Sequence, residues 1–221
     1  MEDDETNHYE NKQVIQKRET HLLSYAAGVL ISYNVNKRIS LQSGITWSSS
    51  NINIDPNKIY AVKDNSGDIK YRYNTSSGYG YILPSFSSSP AIGDSLYTRT
   101  SVHTLQFISI PLVARYRFIH KKFSLDPCIG IAFNFLTKAS LTTEVNDDTN
   151  SENEVITKLN GLKKINYSFL FTSELQYQAS KKWYFIAAPY FKYALAPINN
   201  GSVVKTYPYN IGLGIGVMHR L

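Results

Sequence analysis

A single cysteine, Cys128, stands in 221 residues, which rules out an intramolecular disulfide and leaves that thiol the role of a small buried filler. No run of apolar residues approaches the roughly 18–20 that a membrane helix needs, so a helical membrane protein is excluded. The charged-then-apolar pattern of a secretory signal is missing too, since Met1–Glu10 is acidic and polar. Histidines are few, and His8, His21, His103, His120 and His219 fall at no metal-ligand spacing. Charge of one sign is nowhere concentrated: the net +6 is spread along the chain without a basic stripe, which argues against a nucleic-acid partner. Nothing calls for a cofactor.

What is present in quantity is aromatic and small polar. Seventeen Tyr and ten Phe accompany many Ser, Asn and Thr, a composition of strands and loops. A mean hydropathy of -0.27 does not exclude a membrane, because a barrel hides one face of every strand from lipid. At this length one domain is expected, spanning 1–221, with 1–21 as a polar N-terminal loop or extension.

Apolar residues alternate with small or polar ones in seven segments, about 22–35, 38–50, 104–118, 123–137, 164–178, 183–196 and 206–221. A soluble strand typically runs about 5–6 residues, whereas a tilted strand needs about 9–11 to cross hydrocarbon, so these lengths suit a bilayer. Tight turns at Asn36-Lys37, Ile119-His120-Lys121-Lys122 and Ala179-Ser180-Lys181-Lys182 alternate with long polar links near 51–103, 138–163 and 197–205. This is up-and-down antiparallel topology, with short turns expected in the periplasm and long loops outside. Bacterial barrels have even strand numbers, so eight strands are expected in the full protein, the first lying upstream of Met1. A weaker alternative makes Gln13–Arg18 a short polar strand.

In the last segment Tyr207, Tyr209, Ile211, Leu213, Ile215 and Val217 share one face, and Asn210, Gly212, Gly214, Gly216 and Arg220 the other. Volume decides which face points out. The interior of an eight-stranded barrel is only just filled by side chains, so the bulky rings must face outward and the Gly, Ala, Ser and Asn inward. Such a belt far exceeds the apolar patches that soluble monomers show, which makes outer-membrane lipid its partner. Aromatics gather at both strand ends, Tyr25, Trp47, Phe135, Tyr167, Tyr193 and Tyr207 at one and Tyr33, Tyr116, Phe118, Phe123, Tyr177 and Trp183 at the other, as two interfacial girdles would.

Three stretches resemble one family: Tyr25-Ala-Ala-Gly-Val-Leu-Ile-Ser-Tyr33 leading into Ile39-Ser-Leu-Gln-Ser-Gly44, then Ile110-Pro-Leu-Val-Ala-Arg-Tyr-Arg-Phe118, and Gly212-Leu-Gly-Ile-Gly216. They are similar to the small outer-membrane β-barrel proteins of Bacteroidetes-type bacteria, the PorT-like group. The likeness covers 22–221 and implies a transmembrane barrel with a further first strand and a role in an export or assembly complex. Family members commonly end in an aromatic residue; this chain ends in His219-Arg220-Leu221.

Inward parity places Arg115, Arg117, Asp126, Glu174, Lys192 and Arg220 in the lumen, where charges of both signs are expected to pair as a plug. The glycines of 212–216 share one strand face and do not form a dinucleotide loop, which needs a strand-to-helix turn. Ser101, His103 and Asp94 lie near the outer rim, but adjacency in sequence does not make a triad, and no catalysis is expected. The acidic stretch Glu144–Glu154 is expected to be a mobile loop. The long 51–103 link includes Ile69–Tyr73 as a candidate extra hairpin, and if the protein recognises envelope proteins this link is the place, through Tyr60, Tyr71, Tyr73, Tyr79, Tyr81 and Phe86. A narrow solute channel and a soluble ligand-binding barrel are the alternatives.

Overall fold

The computed structural model describes residues 15, 17–118, 122–147, 149–200 and 205–220. Among them lie thirteen antiparallel strands of one sheet: β1 Glu19–His21, β2 Tyr25–Asn34, β3 Ile39–Ile54, β4 Lys58–Lys63, β5 Ile69–Asn74, β6 Tyr79–Ile82, β7 Ser95–Thr98, β8 Ser101–Tyr116, β9 Phe123–Asn146, β10 Ser151–Ile156, β11 Ile165–Gln178, β12 Trp183–Ala194 and β13 Tyr209–His219. No helix among the described residues is long and apolar enough to cross a membrane.

The seven expected segments correspond to β2, β3, β8, β9, β11, β12 and β13, each hydrogen-bonded to the next in that order. Local chemistry explains the tight connections. The Asn36 carboxamide accepts the backbone N–H of Arg38 at 2.8 Å and of Ile39 at 2.7 Å, an Asx turn that reverses the chain. The Ser180 hydroxyl accepts the Trp183 N–H at 3.2 Å in the β11–β12 turn. The turn at 119–122 and the terminal Leu221 lie wholly or partly outside the described residues, as do Gln13, Val14 and Gln16; Ile15 and Lys17 have helical backbone, not extended.

Strands flanked on both sides show the two faces most clearly. Along β8, Ser109, Val113 and Arg115 are buried, whereas Ile108, Ile110, Leu112 and Tyr116 are exposed. Large apolar side chains therefore radiate outward. Rings meet in cross-strand pairs at two levels, Tyr25 with Trp47 at 5.6 Å and Phe133 with Tyr167 at 5.5 Å above, Phe123 with Tyr177 at 4.9 Å and Trp183 with His219 at 4.7 Å below. Curvature crowds the inner face: a Cβ on Gly44 would run into the backbone of Val29 and Leu30, and one on Gly130 into that of Leu112 and Val113. Gly44→Ala is expected to cost about 1–3 kcal/mol, read by urea unfolding in lipid vesicles.

The sheet does not close among the described residues: β2 pairs with β3 alone and β13 with β12 alone. Nor does the sheet stop at the bilayer. At about 3.3 Å per residue the 24 residues of β9 reach some 80 Å, well beyond the roughly 30 Å of hydrocarbon even when tilted. Thr137 marks the change. Gln106 pairs with Lys138 and Phe107 with Leu136, so Thr137 is an extra residue that switches the inward parity of β9 from even to odd numbers.

Above this bulge the inner face turns from polar to apolar. Ile52, Ile54, Leu141 and Val145 from the extended strands join Ile59, Ala61, Tyr71, Tyr73, Ile82, Leu96 and Ile156 in a buried core. The links at 51–103 and 138–163, expected to be polar loops, are thus a folded cap whose strands run β10-β9-β7-β4-β5-β6. Its two ends meet: Tyr79 and Asn160 exchange backbone bonds of 3.1 and 2.7 Å, and an ideal Cβ on Gly80 would lie 2.6 Å from Ile156. The acidic stretch 144–154, expected to be mobile, is the β9–β10 hairpin, its turn held by Asp147 Oδ1 accepting the N–H groups of Thr149 and Asn150 at 2.8 and 2.6 Å.

Candidate functional site in the lumen and its mouth

Inward parity brings four of the six charges singled out in the sequence into one lower tier of the lumen. Glu174 on β11 lies directly across from Asp126 on β9, and two facing carboxylates repel. Two guanidiniums offset this. Arg115 Nη1 is 3.0 Å from Glu174 Oε2, with both side chains buried, and Arg117 Nε is 3.4 Å from Asp126 Oδ2. Arg115 also donates to Ser40 at 3.1 Å and to Ser32, so one side chain ties β8 to β11, β3 and β2. Gln176 donates to Glu174 at 2.8 Å, leaving Asp126 Oδ1 without a partner among the described residues. Arg220, assigned inward by parity, is instead exposed at the lower rim, where its N–H donates to Lys182.

Lys192 is set apart, in an upper tier built from amides and hydroxyls. Its ammonium donates to Ser109 Oγ at 3.5 Å; Ser109 donates to Asn134 Oδ1 at 2.7 Å; Asn134 Nδ2 donates to Asn166 Oδ1 and Ser168 Oγ, each at 2.9 Å.

The cap covers this tier. Its β5–β6 turn, Thr75–Gly78, carries a residue that sequence reasoning passed over. The Ser76 N–H donates to the Glu19 carboxylate at 2.7 Å, while its carbonyl accepts from Asn199 Nδ2 at 3.1 Å and from the Thr206 hydroxyl. Glu19 precedes β2, and Asn199 and Thr206 precede β13, so the backbone of one residue clasps the chain leading into both open edges. Burial holds the Glu19 carboxyl above its ordinary value, against the opposing pull of the Ser76 bonds. The partners are 57 and 123 residues from Ser76 in the chain, which is why no local pattern announces them.

The six aromatics proposed for recognition divide by face. Tyr71 and Tyr73 are core residues, their hydroxyls bonded to Ser87 at 2.8 Å and Ser101 at 2.9 Å, and Phe86 packs against the same core. Alternation along β5 turns Tyr71 and Tyr73 inward, so they cannot offer their rings to a partner, whereas Phe86, in the short turn after β6, is half-buried. Tyr60, Tyr79 and Tyr81 lie half-buried on the opposite face, with Lys58 Nζ 5.6 Å above the Tyr60 ring and the Arg72 guanidinium 4.0 Å above that of Tyr79.

Ser101, His103 and Asp94 do not assemble. Ser101 and His103 are wholly buried, and neither imidazole nitrogen has a partner among the described residues; Asp94 accepts the Ala91 N–H at 2.8 Å in an exposed turn. Burial among cap residues pushes His103 down from its ordinary 6.5 to about 4. The unfolded chain therefore takes up a proton where the folded cap does not. Cap stability is expected to be full above pH 6.5 and to fall toward pH 4, with a slope of up to about 1.4 kcal/mol per pH unit. Amide exchange across that interval checks this, and His103→Leu is expected to flatten the profile.

Lipid-facing belts, two aromatic levels and a charge-filled lumen define an outer-membrane-type β-barrel. A family model described as "Outer membrane protein beta-barrel domain" matches residues 6–219, and the chain belongs to that family, which places it in the outer membrane with lipid as its surroundings. Comparison with curated proteins and with solved structures returned no match.

Proposed function

We propose that this is a non-catalytic barrel of structural, assembly or interaction type, which holds the cap on the outer side of the membrane and meets other envelope proteins through it. The observation that carries this reading is the investment in the cap: the last nine residues of β9 and all of β4–β7 and β10 build a folded body above a lumen crossed by two ion pairs. The PorT-like group is the branch of the family we infer, on the three motifs quoted above. Swelling of proteoliposomes in small sugars is the test. No swelling is expected; swelling that survives replacement of Glu174 would turn the reading to a narrow channel.

We further infer that an eighth strand lies between β2 and β13. These are the first and seventh strands of an antiparallel series and run in the same direction, so direct closure would put one parallel pair in the sheet. Unpaired backbone groups in hydrocarbon cost several kcal/mol each, which disfavours an open seam. In a Cys128→Ala background, Val29→Cys combined in turn with Ile211→Cys, Leu213→Cys or Ile215→Cys tests this. A cross-linker of about 10 Å, two strand spacings, is expected to join one pair, whereas direct disulfide formation would overturn the assignment.

A further inference from the structure

The two tiers of the lumen differ in charge balance. Below, Arg115 and Arg117 face Glu174 and Asp126. Above, Lys192 has no carboxylate within ion-pair distance among the described residues, and its one hydrogen bond is the long contact to Ser109. The ammonium is half-buried, and losing part of its hydration without a counter-charge is unfavourable.

Hydrogen-bond bookkeeping adds a second, independent observation. Following donors to acceptors, the Ser109 and Ser168 oxygens and both Asn134 and Asn166 carbonyls are engaged. What is left over is donors. Asn166 Nδ2, on a side chain 95% buried, has no partner among the described residues, and the Asn134 bond fixes which way that amide points. Lys192 keeps ammonium hydrogens to give. A water molecule could satisfy such donors singly but would leave the charge uncompensated; an anion satisfies both demands.

We propose that the upper lumen is a binding site for a small oxyanion of phosphate or carboxylate type, held by the Lys192 ammonium and the Asn166 amide on the Ser109–Asn134–Ser168 scaffold. Two serines and two asparagines on β8, β9 and β11, all buried, pre-orient the donors, and Asn210 faces Lys192 across the β12–β13 pair. The site lies under the cap and is separate from the plug below, so it holds whichever partner the cap meets.

The test is side-chain amide NMR of the protein in detergent micelles, titrated at constant ionic strength with inorganic phosphate and, separately, with acetate. A saturable shift of the Asn166 Nδ2 resonance is expected with one or both, the stronger probe telling a phosphate-bearing from a carboxylate-bearing source. Lys192→Gln is expected to abolish saturation, and Asn166→Ala, read by the anion-dependent rise in melting temperature, to weaken binding about tenfold. In anion-free buffer Lys192→Gln is expected to melt no lower than the natural protein, which keeps loss of binding distinct from loss of fold. No saturable shift with either anion, or saturation that persists in Lys192→Gln, would overturn the proposal.

Discussion

Glu174→Ala is expected to destabilise the barrel by about 3–5 kcal/mol, because it strands a buried guanidinium without its counter-charge. Arg115 and Glu174 are 2% and 5% exposed, so little water reaches either. The loss also frees Gln176, whose amide donates to the same carboxylate oxygen. Replacing both partners removes the cause. Arg115→Met with Glu174→Leu is expected to recover most of the loss, since an apolar pair of similar volume avoids burying any charge. Trp47 and Trp183, near opposite ends of the strands, report unfolding in urea from both girdles. The milder Glu174→Gln keeps the volume and is expected to stay silent in planar bilayers. A new current there would mean that the ion pair gates a path, and the plug would have to be given up.

Tyr73→Ala carries the other large effect, about 3–5 kcal/mol, and it falls on the cap. Tyr73 is fully buried, and its hydroxyl donates to Ser101, which in turn donates to Thr143 at 2.6 Å. The change opens a cavity and breaks a chain of hydroxyl bonds linking β5, β8 and β9. Because lipid and the lumen ion pairs hold the membrane portion independently, local unfolding should dominate. Limited proteolysis is expected to cut within 58–98 while the resistant, heat-modifiable band of the folded barrel persists. Simultaneous loss of both would show that cap and barrel fold as one unit.

The membrane strands were legible because their two sides meet different surroundings. Ile211, Leu213 and Ile215 against Gly212, Gly214 and Gly216 form a period-two pattern that lipid on one side and a cramped lumen on the other impose on every crossing strand. The same alternation named Arg115, Arg117, Asp126, Glu174 and Lys192 as inward, but not that Lys192 would sit a tier above the rest. The cap was not legible for the converse reason. Its core is assembled from short pieces far apart in the chain, so Tyr71, Tyr73 and Phe86 look like surface aromatics until the sheet folds over them. The extra residue at Thr137 hid Leu141 and Val145 further, by moving the inward positions from even to odd numbers.

Sequence alone determined the strands that cross, the side of each that meets lipid and the sign of the charges within, because each follows from a local pattern answering to a single solvent boundary. Only the tertiary structure decided that the inner face turns apolar above the membrane, that Ser76 clasps the approaches to both edge strands, and that donors outnumber acceptors around Lys192. Those depend on which distant segments meet, and partners separated by scores of residues leave no periodic trace in the chain.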